Sequence, residues 1–128
     1  MEPVFLELGE VLLIHQDQIE RYGGTTGIKD INLLKSAVAM PRAGIAERYL
    51  HEDAFEMAAA CMYHIARDQP FVGGNKRTGA VAALVFLSIN DVETHIEEEE
   101  LESVVRSVAE GKSAKADISR FFQDSANA

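Results

Sequence analysis

The sequence predicts an all-α fold: a bundle of about six helices around a buried central one, with a short loop or flap. Three observations carry this reading. Apolar residues recur at steps of three and four through most of the chain, the period of one helix face. The stretch from Asn75 to about Asn90 is apolar nearly all round, which suits a helix enclosed by others. Glycines, prolines and capping aspartates fall between the periodic stretches, where helices end and begin. The 128 residues suit one compact domain, 1–128. No repeat, low-complexity tract or Pro/Gly/Ser-rich linker divides them.

Taken in order, Leu8, Val11, Leu12 and Ile19 place an amphipathic helix over about Leu8 to Tyr22. Gly23-Gly24-Thr25-Thr26-Gly27 ends it in a turn. Asp30 can cap a second helix carrying Leu33, Leu34, Ala37 and Val38, which stops before Pro41. Residues 41 to 52 show no period and read as a loop with a short extended piece. Asp53 and Glu56 form an acidic start for a third helix through about Arg67, with Phe55, Ala58, Ala59, Met62 and Ile65 on its apolar face. The turn-rich stretch Asp68 to Gly74 leads into the all-round apolar segment. Asp91 to Ile96 reads as a short extended connection. Leu101, Val104, Val105 and Val108 mark a fifth helix ending at Gly111, and Ile118, Phe121 and Phe122 a sixth from about Ala114.

Composition narrows the function. No apolar run approaches the ~20 residues of a membrane helix, and Met1-Glu2-Pro3 does not open a signal peptide. The single cysteine, Cys61, sits among Ala and Met and reads as a small buried hydrophobe, which fits a reducing cytoplasm. Twelve basic residues against twenty-one acidic ones give a net charge of −9, unsuited to neutralising nucleic-acid phosphates, so no direct nucleic-acid partner is expected. The acid is unevenly spread: eight of the twenty-one acidic residues lie between Asp91 and Gly111, beside one base, Arg106. The run Glu97 to Glu100 suits a solvated helix start, where carboxylates complement the dipole; the alternative is a docking face for a basic partner.

Against that acidity, Gly73-Gly74-Asn75-Lys76-Arg77 places two bases where a turn enters a buried helix. First-turn N–H groups lack intrahelical partners, and the dipole adds positive charge there. Paired glycines let the backbone wrap an anion closely. Lys76 adds charge, and Arg77 can grip phosphate oxygens in a bidentate fork. Together these describe a phosphate cradle. The same residues would also serve as a plain helix start capped by Asn75 and carrying two solvated bases. The spacing of a Walker loop is absent.

The run Gln69-Pro70-Phe71-Val72-Gly73-Gly74-Asn75-Lys76-Arg77-Thr78-Gly79 resembles the signature of the Fic/Doc superfamily, in its death-on-curing (Doc) toxin branch, H-P-F-x-D-G-N-K-R-T. The opening helix, the Gly23-Gly24 turn, Gly27-Ile28-Lys29-Asp30, Leu33-Leu34 and Ala109-Glu110-Gly111-Lys112 share the likeness. The resemblance implies a loop between two helices that holds ATP or another nucleoside triphosphate, with Mg²⁺. It implies transfer of a phosphoryl or nucleotidyl group to a hydroxyl of a target protein, for Doc toxins translation elongation factor Tu. A cognate antitoxin would be the silencing partner. By resemblance Gly74 and Asn75 form the anion hole, Lys76 and Arg77 bind phosphates, and Phe71 anchors the loop. The target-guiding flap would lie within 41 to 52.

Two positions depart from the signature. Gln69 stands where the family has its histidine, the general base; an amide has no usable pKa and cannot take the proton. Gly73 stands where the family has the acid that holds magnesium, and it supplies no ligand. General-base catalysis is typically worth 10²–10⁴-fold, so the implied activity is impaired in this chain. Asp68, and His64 one turn before it, lie near Gln69 but read as helix-end and partly exposed helix residues. His15 reads as a structural hydrogen-bonder, and His51 and His95 have no supporting context. The changes fit a naturally degenerate domain or a clone selected against toxicity. Two other functional classes stay open: a non-catalytic Fic/Doc domain that binds nucleotide or an antitoxin, and a plain helical interaction module. The inhibitory helix of some Fic proteins, [S/T]-x-x-x-E-[G/N], is not matched, because Arg106 stands where it needs Ser or Thr before Glu110-Gly111.

Overall fold

A computed structural model describes residues 2–127. Its elements are α1 (Leu8–Tyr22), α2 (Ile31–Ala39), a 3₁₀ turn (Met40–Arg42), β1 (Gly44–Ile45), β2 (Arg48–Tyr49), α3 (Ala54–Asp68), α4 (Asn75–Ile89), α5 (Glu98–Ala109) and α6 (Lys115–Ala126). The fold is all-α, with one small hairpin. Helix starts follow local chemistry: Asp30 accepts from the Leu33 N–H at 3.0 Å, and Asp53 from the Glu56 N–H at 2.8 Å. The Ala114 N–H donates to Asp117 at 2.8 Å.

The central position is shared. α4 is buried along Thr78, Gly79, Ala80, Ala82, Ala83, Phe86 and Leu87, but α3 touches more neighbours: α2, the 3₁₀ turn, α4, α5 and α6. Alanines explain the close approach of the pair, since Ala58, Ala59, Ala60 and Ala66 of α3 and Ala82 and Ala83 of α4 are all fully buried. At Gly79 even a methyl group would sit 3.1 Å from the Met62 carbonyl. Phe86, Phe122, Leu34, Ile65 and Ile118 fill the space around this pair.

Residues 41 to 52 hold the extended piece expected there. β1 and β2 pair antiparallel, Gly44 with Tyr49 and Ile45 with Arg48, around a two-residue turn in which Ala46 and Glu47 both have positive φ. The connection 91–96 is no strand: Asp91 turns the chain with φ 63°, and the stretch has no ladder partner among the described residues. The α4 terminus is fixed by Asn90, which bonds the Val4 N–H and carbonyl and the Phe86 carbonyl. His51, expected to lack context, is buried at the hairpin's foot. Cys61 is buried on α3, and burial pushes its thiol up to about 12. No helix is long and apolar enough to cross a membrane.

Candidate functional site

The signature residues form the connection between α3 and α4. Gln69 closes α3 in the left-handed conformation (φ 53°, ψ 61°), its N–H donating to the Ile65 carbonyl. The residue is exposed. A left-handed glutamine is strained by roughly 1 kcal/mol, and the helix end holds it there. Pro70 and Phe71 then turn inward, and Phe71 is 1 % exposed.

Gly74 is the N-cap of α4 at φ 74°. A Cβ there would sit 2.9 Å from the flexible end of Ile19, Cδ1, and 3.5 Å from the His15 ring; the left-handed φ is what favours glycine. Asn75 is the first helical residue and does not cap α4. Its side chain reaches back, accepting from the Phe71 N–H at 2.9 Å and donating to the Phe71 carbonyl at 3.0 Å. Asn75 thus contributes a loop lock and one backbone N–H. The first backbone bond of α4 runs from the Thr78 N–H to the Gly74 carbonyl. Among the described residues, the N–H groups of Asn75, Lys76 and Arg77 have no acceptor, and they open a dipole-positive end.

The two bases are placed differently. Lys76 is exposed and in no salt bridge among the described residues. Arg77 donates through Nη2 to the Gly23 carbonyl at 2.7 Å and lies over the Tyr22 ring at 5.7 Å. One arm of its fork therefore holds the end of α1, and its other N–H groups are available to an anion. Beside these residues a cavity of about 540 Å³ opens between α1, α4 and α5. Ala80, Val81, Leu101 and Val105 give it apolar walls; Gln18 and Tyr22 stand on one side, Glu98 and Glu102 on another.

Segment 23–30 is stitched to the signature loop. Lys29 and Asp30 N–H groups donate to the Pro70 carbonyl at 2.8 and 3.1 Å, and the Val72 N–H donates to the Gly27 carbonyl at 3.0 Å. Ile28 and Phe71 form an antiparallel bridge. His15 is the structural hydrogen-bonder expected of it, with Gly73 as its partner. These contacts link residues far apart in sequence, and only Gly27-Ile28-Lys29-Asp30, within the family likeness, hinted at them.

The position of the family base holds no titrating group. His64 is partly exposed, as expected, at 16 % of its side chain, and its Nδ1 lies 3.2 Å from Asp68 Oδ2. Burial lowers its pKa, Lys115 lowers it further, and Asp68 opposes both. His64 Nε2 is buried without a partner. His95 is exposed. Among the described residues, no group of three or more His, Cys, Asp or Glu is placed to hold a metal ion. With Gly73 at the acid position, the residues present do not fit Mg²⁺.

Residues 5–87, well over half of the chain, match the model of the Fic/DOC family. Toxin Doc of Mycolicibacterium smegmatis is 39% identical over 72 residues, covering 56% of this chain and 55% of that protein. Protein kinase doc of Escherichia phage P1 is 33% identical over 84 residues, covering 66% of each. The chain thus spans between about half and two thirds of the length of these relatives. The matched stretch takes in α1, the hairpin, the α3–α4 pair and the loop between them, and this chain belongs to the Fic/DOC family.

Proposed function

We propose that this chain is a Doc-type toxin of a type II toxin–antitoxin pair, with its nucleotide-holding half in place and its transfer chemistry impaired. One observation carries the reading. Three free backbone N–H groups at the start of α4, with Lys76 and Arg77, open beside a cavity of about 540 Å³ with apolar walls. Such a site suits a nucleoside triphosphate such as ATP: phosphates at the helix end, as anions bind helix N-termini generally, and the base against Ala80, Val81, Leu101 and Val105. The names of the two relatives support the toxin and kinase parts of the reading. A cognate antitoxin is its partner, and the family reaction, phosphoryl or nucleotidyl transfer to a hydroxyl of a protein such as translation elongation factor Tu, is its chemistry.

Here that reaction is slow. Gln69 can hydrogen-bond an incoming hydroxyl but cannot accept its proton, which removes a contribution of typically 10²–10⁴-fold. No step is assigned to a metal. A second reading, a non-catalytic Fic/Doc domain that binds nucleotide or antitoxin, is favoured by the coincidence of both losses, Gln69 and Gly73, in one loop.

The test is restoration. Gln69→His, alone and with Gly73→Asp, is compared with the parent for growth arrest and for label transfer from γ- and α-labelled ATP. Arrest with γ-label transfer supports a kinase, and with α-label transfer a nucleotidyl transferase. A folded double variant that neither arrests growth nor transfers label overturns the toxin reading and leaves the binding domain.

A further inference from the structure

We infer that the phosphate cradle of this chain takes its polyphosphate ligand free of divalent metal, because residue 73 is a glycine that supplies no ligand and the backbone of Thr25 crowds the space where a metal-holding side chain would begin. The inference rests on the nucleotide reading above and deepens it. A Cβ at position 73 would lie 3.1 Å from the Thr25 carbonyl oxygen, 3.2 Å from its nitrogen and 3.6 Å from its Cβ. The first carbon of any side chain there already presses on Thr25, and an aspartate adds a carboxylate beyond it. Gly73 has no positive φ, so backbone conformation does not demand glycine. The close neighbour favours it, since Thr25 would have to give by a few tenths of an ångström.

Thr25 is poorly placed to yield. On one side of it the Gly23 carbonyl takes the Arg77 guanidinium, and on the other the Gly27 carbonyl takes the Val72 N–H. Gly73 is itself held, its carbonyl accepting from His15 Nε2 at 2.8 Å. Segment and loop are thus fastened to each other on both sides of the contact, and the glycine is part of that fit.

What surrounds the position cannot replace the missing acid. The Thr25 carbonyl is neutral, whereas Mg²⁺ is usually held through one or two carboxylates together with the phosphates. Asp68 is turned to His64. Glu102 pairs with Arg106, and Glu98 stands with it on α5, in the cavity wall with Gly74 to Arg77; the atoms a side chain at 73 would meet first are those of Thr25. Countercharge for a phosphate therefore comes from the N–H groups of Asn75, Lys76 and Arg77 and from the two basic side chains. A metal ion on the ligand would offset part of the charge these groups recognise.

The experiment is calorimetric titration of the whole chain with ADP and with ATP, in EDTA and in excess MgCl₂. Equal binding in the two buffers, within about threefold, or weaker binding with Mg²⁺, is expected. Binding tightened more than about threefold by Mg²⁺ overturns the inference and leaves the nucleotide reading standing. No binding in either buffer overturns both. Thermal melting of Gly73→Asp tests the cause: its melting temperature falls, since Thr25 must shift. An unchanged melting temperature would show that Thr25 does not close the position.

Discussion

The imidazole of His15 lies flat on the ring of Phe71, with centroids 3.8 Å apart and planes 4° apart. Its Nε2 meets the Gly73 carbonyl at 2.8 Å. A carbonyl only accepts, so the proton sits on Nε2 and the tautomer is fixed. One side chain of α1 thus sets both the anchor of the signature loop and the carbonyl one residue before the α4 N-cap. His15→Phe keeps the stack and loses the bond, costing about 1 kcal/mol. His15→Ala loses both, about 2–3 kcal/mol in all. Chemical denaturation measures the two costs; equal losses would show that the stack contributes nothing.

Gln69 holds left-handed dihedrals at an exposed helix end. Gln69→Gly relieves that strain and raises stability by roughly 0.5–1 kcal/mol, read as an increased denaturation midpoint. A lower midpoint would mean that the glutamine side chain makes a stabilising contact.

The hairpin turn carries the same strain twice, at Ala46 and Glu47. Asn-Gly is the pair such turns favour. Ala46→Asn with Glu47→Gly stabilises the hairpin, by about 1 kcal/mol in total, and slows amide exchange at Leu50, whose N–H donates to the Ala43 carbonyl. Unchanged exchange would count against this account.

Acid weakens the fold through two histidines, the buried His51 and the half-buried His64. His51 is lowered from 6.5 by burial, then by Lys115 and His64, against the Met40 and Pro41 carbonyls; His64 is lowered by burial and Lys115, against Asp68. A depressed folded pKa means that the unfolded chain binds protons first as pH falls below 6.5. This stabilisation is complete above that value and is lost as pH falls through the window beneath it. Melting temperature therefore drops on acidification from neutral pH, and the paired change His51→Gln, His64→Gln flattens the drop. A slope as steep in the double variant would assign the effect to carboxylates instead.

Cys61 stays unreactive toward a thiol reagent in the folded chain, being buried with its thiol pushed up to about 12. It reacts stoichiometrically once denaturant is added. Labelling of the native protein would mean that α3 opens locally.

What the sequence made legible was local. The α1 bounds and the Asp30 and Asp53 caps depend on residues a turn or a loop away, and composition and spacing report those. Long-range partners did not show. Nothing near Asn90 signals Val4, 86 positions away; nothing near His51 signals its burial; and nothing near Gly73 signals Thr25. The alternative of Asn75 as a cap fails, since position alone does not tell which way a side chain turns: Gly74 is the N-cap, and Asn75 bonds back to Phe71. The shared centre of α3 and α4 is hard to read from sequence because α3's alanines make a small apolar face that nonetheless touches most of the other helices.

The loop from Gln69 to Gly74 joins two helix ends of opposite polarity, the carbonyl end of α3 and the amide end of α4. The side chain at the first end, Gln69, is exposed, whereas Gly74 at the second packs against Ile19 and His15 of α1. Holding a ligand and acting on it are thus separate inheritances of one short turn, and a chain can lose the second while its helices still carry the first.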